Sequence, residues 1–230
     1  MRDKAKKALA FPVLWVLYCV AIAVMQADKR TFATLAGLAL GGVFLYATGL
    51  LLLMASTGKT LRTWVLPVLF AVLVALDQGA KLLVLRHVPP GAGVPVFGAF
   101  LSIRFLPNYH NNVLLNMLDI MLPPVLVKGV GAVLVAAVAV VFAVYCTRRG
   151  YDMRDARFRL MAVLFCAGAV CSVAESFYRG YILDFISFAG LVGFDFKDLY
   201  IMYGAGLLIT VFAEWENEHE AKQKAAGGGK

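Results

Sequence analysis

The sequence predicts an all-α polytopic membrane protein with about six transmembrane helices, and three observations support this fold class. The 230-residue chain is 61% hydrophobic and only 16% charged, whereas soluble domains average about half apolar and a quarter charged. Its mean hydropathy is +0.79. Six apolar runs reach or approach the ~20 residues that cross a bilayer, and they show no period-2 alternation, which disfavours a β-barrel.

These six runs account for most of the chain. At about 20 residues per crossing they use roughly 120 residues, which leaves too little for a separate soluble domain. A cytosolic enzyme, a secreted disulfide scaffold and a DNA-binding module are therefore excluded. In order, the runs cover residues 8–25, 31–58, 63–85, 129–147, 160–174 and 199–213.

The distribution of Lys and Arg predicts the orientation. With the N-terminus inside, 14 of the 22 basic residues lie on the inner face and 7 on the outer face, while Lys81 lies within a span. Such a bias over short loops places both termini in the cytoplasm. The formal net charge of +8 is then an orientation signal, so we predict no nucleic-acid partner.

Cysteines and histidines offer no metal or nucleophile site. Cys19, Cys146, Cys166 and Cys171 lie within or at the ends of the apolar runs, which is typical of buried, unreactive thiols. No pair has metal-ligand spacing, and the sequence has no H-E-x-x-H or G-x-S-x-G motif. We predict no metal and no cofactor, which leaves the chemistry to carboxylates.

The first group of unexpected polar residues interrupts the third run. Charged residues in apolar segments are costly and mark functional sites by default. Asp77 and Lys81 are spaced i to i+4, so they lie on one helix face and can pair. Two interpretations remain open here: a functional pair, or a structural pair that reaches the interface and fixes the helix.

The second group lies between the fifth and sixth runs. A carboxylate in an apolar stretch, as at Asp184, loses hydration and holds its proton more strongly. Two such carboxylates can share a proton, one acting as base for water and the other as acid for the substrate. Ordinary loop carboxylates at the lipid headgroups are the alternative. The group comprises Glu175, Arg179, Asp184, Asp195, Lys197 and Asp198.

A segment rich in aromatic residues precedes the fourth run. Over residues 95–107 it carries Phe97, Phe100, Ile103 and Phe105, and apolar residues alternate over 99–105. The alternation predicts a short, β-like strand pair on the outer membrane face, and a loop with membrane-dipping aromatics is the alternative.

Five short motifs follow one another over the last four runs. They read Asp-Gln-Gly-Ala-Lys, Pro-Asn-Tyr-His-Asn, Cys-Ser-Val-Ala-Glu-Ser, Gly-Tyr-Ile-Leu-Asp-Phe and Phe-Asp-Phe-Lys-Asp-Leu. In this order, and together with the helices around them, they resemble the motifs of the lipoprotein signal peptidase (signal peptidase II) family. The resemblance covers residues 63–215. The motifs begin at Asp77, Pro107, Cys171, Gly180 and Phe194.

The resemblance implies an aspartyl endopeptidase of the bacterial inner membrane with a four-helix domain. In the family, the aspartates that match Asp184 and Asp198 are the catalytic pair. The implied substrate is a lipid-modified prolipoprotein whose signal peptide is removed at a site toward the outer face, and membrane lipids are the other partner. We expect eight residues to support the site or contact substrate: Asp77, Lys81, Asn108, Ser172, Glu175, Arg179, Asp195 and Lys197.

Several motif positions differ from the family pattern. Asp195 and Lys197 replace a neutral Asn and an Ala, Ser172 replaces an Asn, Glu175 replaces an Asp, and Ser176 replaces an Arg. The alternative function is therefore a catalytically silent homologue that binds signal helices or lipids as a scaffold or accessory protein. A small transporter is disfavoured, since no broken helices recur in matching halves.

The direction of the Lys197 side chain bears on the choice between the two functions. Facing inward, its ammonium would hold both aspartates ionised and remove the acid that cleavage needs. Facing the lipid headgroups, it would leave the pair intact. We expect it to face outward.

The sequence also predicts three segments. Residues 1–58 carry no intramembrane charge and no motif, so we expect an accessory two-helix segment that docks a membrane partner and can be removed without loss of the fold. Residues 59–215 form the four-helix domain. Residues 216–230 lack apolar periodicity and are expected to form a disordered cytoplasmic tail.

Overall fold

The structure is a computed structural model that describes residues 2–25, 32–98, 100–109, 122–148, 150–188 and 192–227. These residues form a helical bundle with one small sheet at one end. The helices are α1 (Arg2–Lys7), α2 (Val13–Met25), α3 (Phe32–Ser56), α4 (Val65–His87), α5 (Pro124–Arg148), α6 (Ala156–Arg179) and α7 (Phe196–Gly227). The strands are β1 (Gly93–Phe97), β2 (Leu101–Asn108), β3 (Ile182–Phe188) and β4 (Val192–Phe194).

The predicted fold class of a mostly helical, polytopic membrane protein is confirmed. Over the described ranges, five helices are long and apolar enough to cross a membrane. They match the second to sixth predicted runs. Their spans are Ala39–Ser56, Val65–His87, Val125–Arg148, Ala156–Arg179 and Phe196–Asn217.

The first predicted run does not form one long helix. A 3₁₀ turn covers Ala8–Ala10, and α2 begins only at Val13, after Pro12. At 1.5 Å per residue, the 13 residues of α2 span about 20 Å, less than the ~30 Å hydrocarbon core. A break near a proline is what its missing N–H produces.

The sheet is antiparallel throughout, in the order β1-β2-β3-β4. Its first two strands confirm the strand pair predicted around residues 99–105, of which Ala99 lies outside the described residues. The strand β3 then pairs with β2, with Leu106 opposite Asp184. The sheet thus brings the segment after α6 against the segment after α4.

Local signals explain where α6 begins and ends. The side chain of Asp155 accepts the Arg157 amide N–H at 2.7 Å, which is an N-cap. At the other end, Gly180 has φ 72° and donates its N–H to the Ser176 carbonyl. Because Gly adopts this left-handed conformation at low cost, the chain leaves α6 and enters β3.

The first 58 residues share the hydrophobic core of the other helices. Phe11 is 1% exposed and lies between Gly49 and Gly206, and Trp15 packs edge-on against Phe194. This segment therefore packs as an integral part of the bundle. Its division from residues 59–215 stays a prediction, but we no longer expect its removal to leave the fold intact.

Polar contacts join the same elements. Lys7 Nζ lies 2.8 Å from Glu214 Oε1, and the Thr48 hydroxyl lies 2.5 Å from the Tyr203 hydroxyl. The first of these contacts places the start of the chain and the distant part of α7 at the same end of the bundle.

The helix α7 continues beyond the last apolar run, to Gly227. The expectation of a disordered tail from residue 216 is therefore wrong for residues 216–227. This stretch is rich in Glu, Lys, Gln and Ala, which are strong helix formers without any apolar periodicity. Hydrophobic pattern alone misses such a helix.

The contact between Phe11 and Gly206 leads to a stability prediction. A methyl group at Gly206 would lie 2.4 Å from the Phe11 ring, so we expect Gly206→Ala to lower the free energy of unfolding by about 1–3 kcal/mol. Thermal unfolding in detergent measures the change. Gly131→Ala is the matched control, because nothing lies within 4 Å of a methyl group there. Equal unfolding temperatures for both variants would contradict the close packing.

Candidate active site

A buried lysine joins three elements at the sheet end of the bundle. Lys81 Nζ lies 3.0 Å from Asp77 Oδ2, 2.6 Å from Glu175 Oε2 and 2.6 Å from Asp195 Oδ2. All four side chains are fully buried. The Asp77–Lys81 pair therefore does not reach the membrane interface, which excludes that interpretation of it. The pair instead holds α4, α6 and the start of α7 together.

Glu175 connects this cluster to the sheet. Its Oε1 accepts one hydrogen bond from the Arg179 guanidinium and one from the Leu183 amide N–H, each at 2.8 Å. The residue thus fixes the end of α6 to β3, immediately before Asp184. Arg179, one turn along α6, supplies the cation that Ser176 lacks.

A reciprocal cap fixes the start of α7. Asp195 Oδ1 accepts the Asp198 amide N–H at 3.2 Å, and Asp198 Oδ2 accepts the Asp195 amide N–H at 3.2 Å. This is the geometry of a capping box. In addition, Asp77 Oδ1 accepts the Lys197 amide N–H at 3.2 Å. Three carboxylates therefore accept the backbone N–H groups at the start of α7, and these hydrogen bonds fix the rotation of the helix.

The two aspartates of the predicted pair come together at this point. One carboxylate oxygen from each of Asp184, Asp195 and Asp198 lies within 4.8 Å of the other two. Asn108, on β2, donates from Nδ2 to Asp184 Oδ2 at 3.1 Å and so orients that carboxylate. The Asp184 side chain is 13% exposed and the Asp198 side chain 34%, so water reaches the pair from the Asp198 side.

Lys197 faces inward, so the expectation of an outward lysine is wrong. It is 1% exposed, and its ammonium forms a short contact with Asp195. The same Nζ lies 3.8 Å from Asp184 Oδ1 and 3.9 Å from Asp198 Oδ1. The reason is tertiary, because the caps at Asp77 and Asp195 rotate the first turn of α7 so that Lys197 points into the site.

Burial and charge act differently on Asp184 and Asp195. Burial raises the pKa of Asp184 to about 6, against the opposing effect of Lys197. Burial also opposes ionisation of Asp195, but Lys197 and Lys81 outweigh it and lower the pKa of that carboxyl. Asp195 is therefore an ionised partner of the two lysines, whereas Asp184 holds its proton more strongly than an ordinary Asp does.

Most of the predicted site residues meet in this cluster. Ser172 is also buried on α6, where its carbonyl accepts the Ser176 hydroxyl at 2.8 Å. The part of the cluster around Lys81 braces the helix ends, and the part around Asp184 faces the opening. The residues brought together are Asp77, Lys81, Asn108, Glu175, Arg179, Asp184, Asp195, Lys197 and Asp198.

Two residues of the site were not predicted from the sequence. Lys128, on α5, interacts electrostatically with Asp184, Asp195 and Asp198. It lies at the end of an apolar run on the same predicted face as the aspartates, and that position was the available signal. Gly193, on β4, packs beside Asp184: a methyl group there would lie 3.3 Å from Leu106 Cδ1 and 3.4 Å from Asp184 Cβ.

Three clustered carboxylates are also a pattern that binds metal ions. Here the ammonium of Lys197 lies within 4 Å of all three, so it supplies the positive charge that a metal would bring. The arrangement suits proton transfer by two carboxyl groups beside a fixed cation.

The comparisons with known proteins agree with this geometry. A model of the family described as Signal peptidase (SPase) II matches residues 69–213, which include every residue of the cluster. The chain belongs to this family. Signal peptidase II proteins are aspartyl proteases that process lipoproteins, and the chain is accordingly a multi-pass inner membrane protein.

Relatives of the signal peptidase II member described here are distant. A "Lipoprotein signal peptidase" from Fusobacterium nucleatum is 23% identical over 146 residues, covering 62% of this chain and 82% of that protein. A solved structure described as a bacterial membrane enzyme, determined by the in meso method at 1.9 Å resolution, matches with a TM-score of 0.55. It is 18% identical and covers 67% of this chain and 96% of its own.

A second solved structure supports the same fold. This bacterial membrane enzyme, determined by the in meso method at 2.3 Å resolution, has a TM-score of 0.55 and 17% identity. The match covers 68% of this chain and 92% of that one. The family match begins within α4, so α1 to α3 lie outside it.

The raised pKa of Asp184 predicts a pH dependence of stability. The folded state keeps this proton up to about pH 6, whereas the unfolded chain loses it near pH 3.8. The stabilising contribution is therefore full below pH 3.8 and is lost as the pH rises through about 6. Asp184→Asn should remove this part of the pH dependence. Unfolding temperatures in detergent across this range test it, and an unchanged profile in the variant would contradict the assignment.

Proposed function

We propose that this chain is an active intramembrane aspartyl endopeptidase that removes the signal peptide from lipid-modified prolipoproteins. Asp184 and Asp198 are its catalytic pair. The observation that carries this proposal is the approach of their carboxylate oxygens to within 4.8 Å, at the exposed end of an otherwise buried cluster. The family membership supports the same chemistry and substrate class.

The pair performs cleavage by sharing one proton. The ionised carboxylate takes a proton from a water molecule, whose oxygen attacks the scissile carbonyl carbon. The protonated partner donates to the reacting amide, and the C–N bond breaks as the leaving nitrogen becomes an amine. The proton belongs to the pair, so its two ionisation steps are properties of both residues.

The charges of the cluster favour one proton on the pair. Among the described residues of the cluster, five carboxylates face four cations, Lys81, Lys128, Arg179 and Lys197. With every group ionised the site carries one excess negative charge, and a single proton makes it neutral. Because an unbalanced charge is costly in a largely buried cluster, the singly protonated pair is favoured.

The proposed orientation places the catalytic pair toward the outer face of the membrane. The excess of basic residues on the predicted inner segments assigns the end with Lys7 and Glu214 to the cytoplasm. The opposite end then carries the sheet and the pair. There Phe97, on β1, is 71% exposed and suits contact with the lipid part of the substrate.

One observation favours a second candidate, the catalytically silent homologue. The ammonium of Lys197 lies close enough to both aspartates to stabilise the doubly ionised pair, which lacks an acid. Against this, the shortest contact of Lys197 is with Asp195, whose charge it balances. Since the two residues add one positive and one negative charge, the pair keeps its proton, and cleavage is the preferred function.

The test is cleavage of a lipid-modified preprotein by the purified protein in detergent. The matched control is the same preprotein with the lipid-bearing Cys replaced by Ser. We expect release of the signal peptide from the lipid-modified form only, as seen by mass spectrometry of both products. Binding of the lipid-modified form without cleavage would establish the silent homologue instead.

A further inference from the structure

We propose that Asp195 and Lys197 form one charge-neutral couple that keeps a single proton on the Asp184–Asp198 pair. This inference rests on the proposed function and concerns how the site is controlled. Both residues act through the catalytic aspartates, so they are positioning residues. Because the two charges offset each other, removing either one alone should change the protonation of the pair.

The geometry of the couple supports this role. The Asp195 side chain is fully buried, and it contacts Lys197 and, at 2.6 Å, Lys81. Lys197 in turn lies nearly equally far from the catalytic oxygens, 3.8 Å from Asp184 Oδ1 and 3.9 Å from Asp198 Oδ1. Its charge therefore acts on both members of the pair to the same extent.

The carboxylate of Asp195 offsets that charge at the same place. One of its oxygens lies within 4.8 Å of an oxygen of each catalytic aspartate, so its negative charge acts on the same two groups. Over such distances in a protein, each unit charge interacts strongly with its neighbours. The opposite effects of the couple nearly cancel at the pair, and the number of protons there depends on the remaining groups.

The other groups around Lys197 are fixed by their own contacts. Lys81 and Asp77 face it from α4, and Lys128 faces it from α5. Glu175 on α6 contacts Lys81, and Asn108 on β2 donates a hydrogen bond to Asp184. Asp184 comes from β3, and Asp195 and Asp198 from the start of α7.

Two single substitutions should shift the pH optimum of cleavage in opposite directions. Lys197→Met removes the positive charge, so the pair holds protons more strongly and the pH optimum of cleavage moves up. Asp195→Asn removes the negative charge, so the pair loses protons more easily and the optimum moves down. Asn is also a good N-cap residue, which preserves the start of α7. We expect shifts of about one pH unit or more in each direction.

The double variant Asp195→Asn/Lys197→Met is the decisive comparison. Because it removes both charges together, its pH optimum should return to within a few tenths of a unit of the wild-type value. A merely structural role would shift neither optimum and would make the double variant worse than each single one. Lys59→Met, at an exposed lysine, controls for the substitution itself and should shift nothing.

A second readout does not depend on cleavage. Infrared difference spectra of the wild type and each variant over pH show the band of protonated carboxyl groups, whose titration should move in the same opposite directions. If the wild type cleaves nothing, the proposed function fails while this titration still tests the couple. Shifts in one direction for both single variants, or a double variant that does not return, would overturn the inference.

Discussion

Asp184→Asn and Asp198→Asn are each expected to lower the rate of prolipoprotein cleavage by about 1,000-fold, within the 10²–10⁴ range of a general acid–base group. An amide can neither take the proton of the attacking water nor give one to the leaving amine. The substitution hardly changes the size of the side chain, and the amide oxygen that Asp184→Asn introduces would still accept the hydrogen bond from Asn108. Single-turnover cleavage of a lipid-modified preprotein measures the loss.

The double variant distinguishes a catalytic unit from two independent contributions. If the residues share one proton, Asp184→Asn/Asp198→Asn should be no slower than either single variant, since residues that act as a unit give strongly non-additive effects. Losses that multiply in the double variant would show that the two carboxylates contribute separately. Gel filtration and unfolding temperatures confirm that the variants are folded.

Lys81→Met is expected to have the largest effect on stability. Removing this ammonium leaves Asp77, Glu175 and Asp195 without their shared cation in a fully buried cluster. Breaking a buried ion pair in this way costs about 3–5 kcal/mol, and here one cation serves three carboxylates. We therefore expect a large fall in the unfolding temperature in detergent, or no folded protein at all.

A second substitution keeps this prediction testable if Lys81→Met does not fold. Adding Asp77→Asn removes the carboxylate that has no other ion pair among the described residues, while an amide oxygen can still accept the Lys197 N–H. The double variant should therefore recover part of the lost stability. Lys59→Met is the exposed control and should unfold at the wild-type temperature. Equal unfolding temperatures for Lys81→Met and Lys59→Met would show that the buried cluster carries little stability.

The sequence predicts the apolar helices well and the sheet only in part. Apolar runs of sufficient length identify five of the spans because a bilayer demands that length. The alternation around residues 99–105 identifies β2, whereas the apolar stretch around Asp184, which forms β3, was not predicted to be a strand. Which strands pair is decided by tertiary contacts, so the position of β3 beside β2 was not predictable.

The site shows the same division between local and tertiary information. Asp195 and Asp198 are spaced as a capping box, a signal that the sequence contains and that fixes the start of α7. The direction of Lys197 depends on the rotation of that helix, which Asp77 sets from another element 120 residues away in the sequence. No local pattern carries that information, so the outward orientation was a reasonable but wrong prediction.

The role of Lys128 and the packing of the first 58 residues could not be predicted for a similar reason. Both depend on which helices are neighbours in the bundle. Small residues at Gly49 and Gly206 admit Phe11, yet only the folded chain shows that these two glycines face the same aromatic ring. The periodicity of apolar residues is a property of each helix alone and carries no information on which helices pack together.

The most direct test of a catalytic Asp184–Asp198 pair follows cleavage of the same bond by two forms of the protein. Wild-type protein and the Asp184→Asn/Asp198→Asn variant are incubated with the same lipid-modified preprotein in detergent, and the products are weighed by mass spectrometry. We expect only the wild type to release the signal peptide, cut immediately before the lipid-modified cysteine. Equal amounts of this product with both proteins, or none with the folded and substrate-bound wild type, would contradict a catalytic Asp184–Asp198 pair.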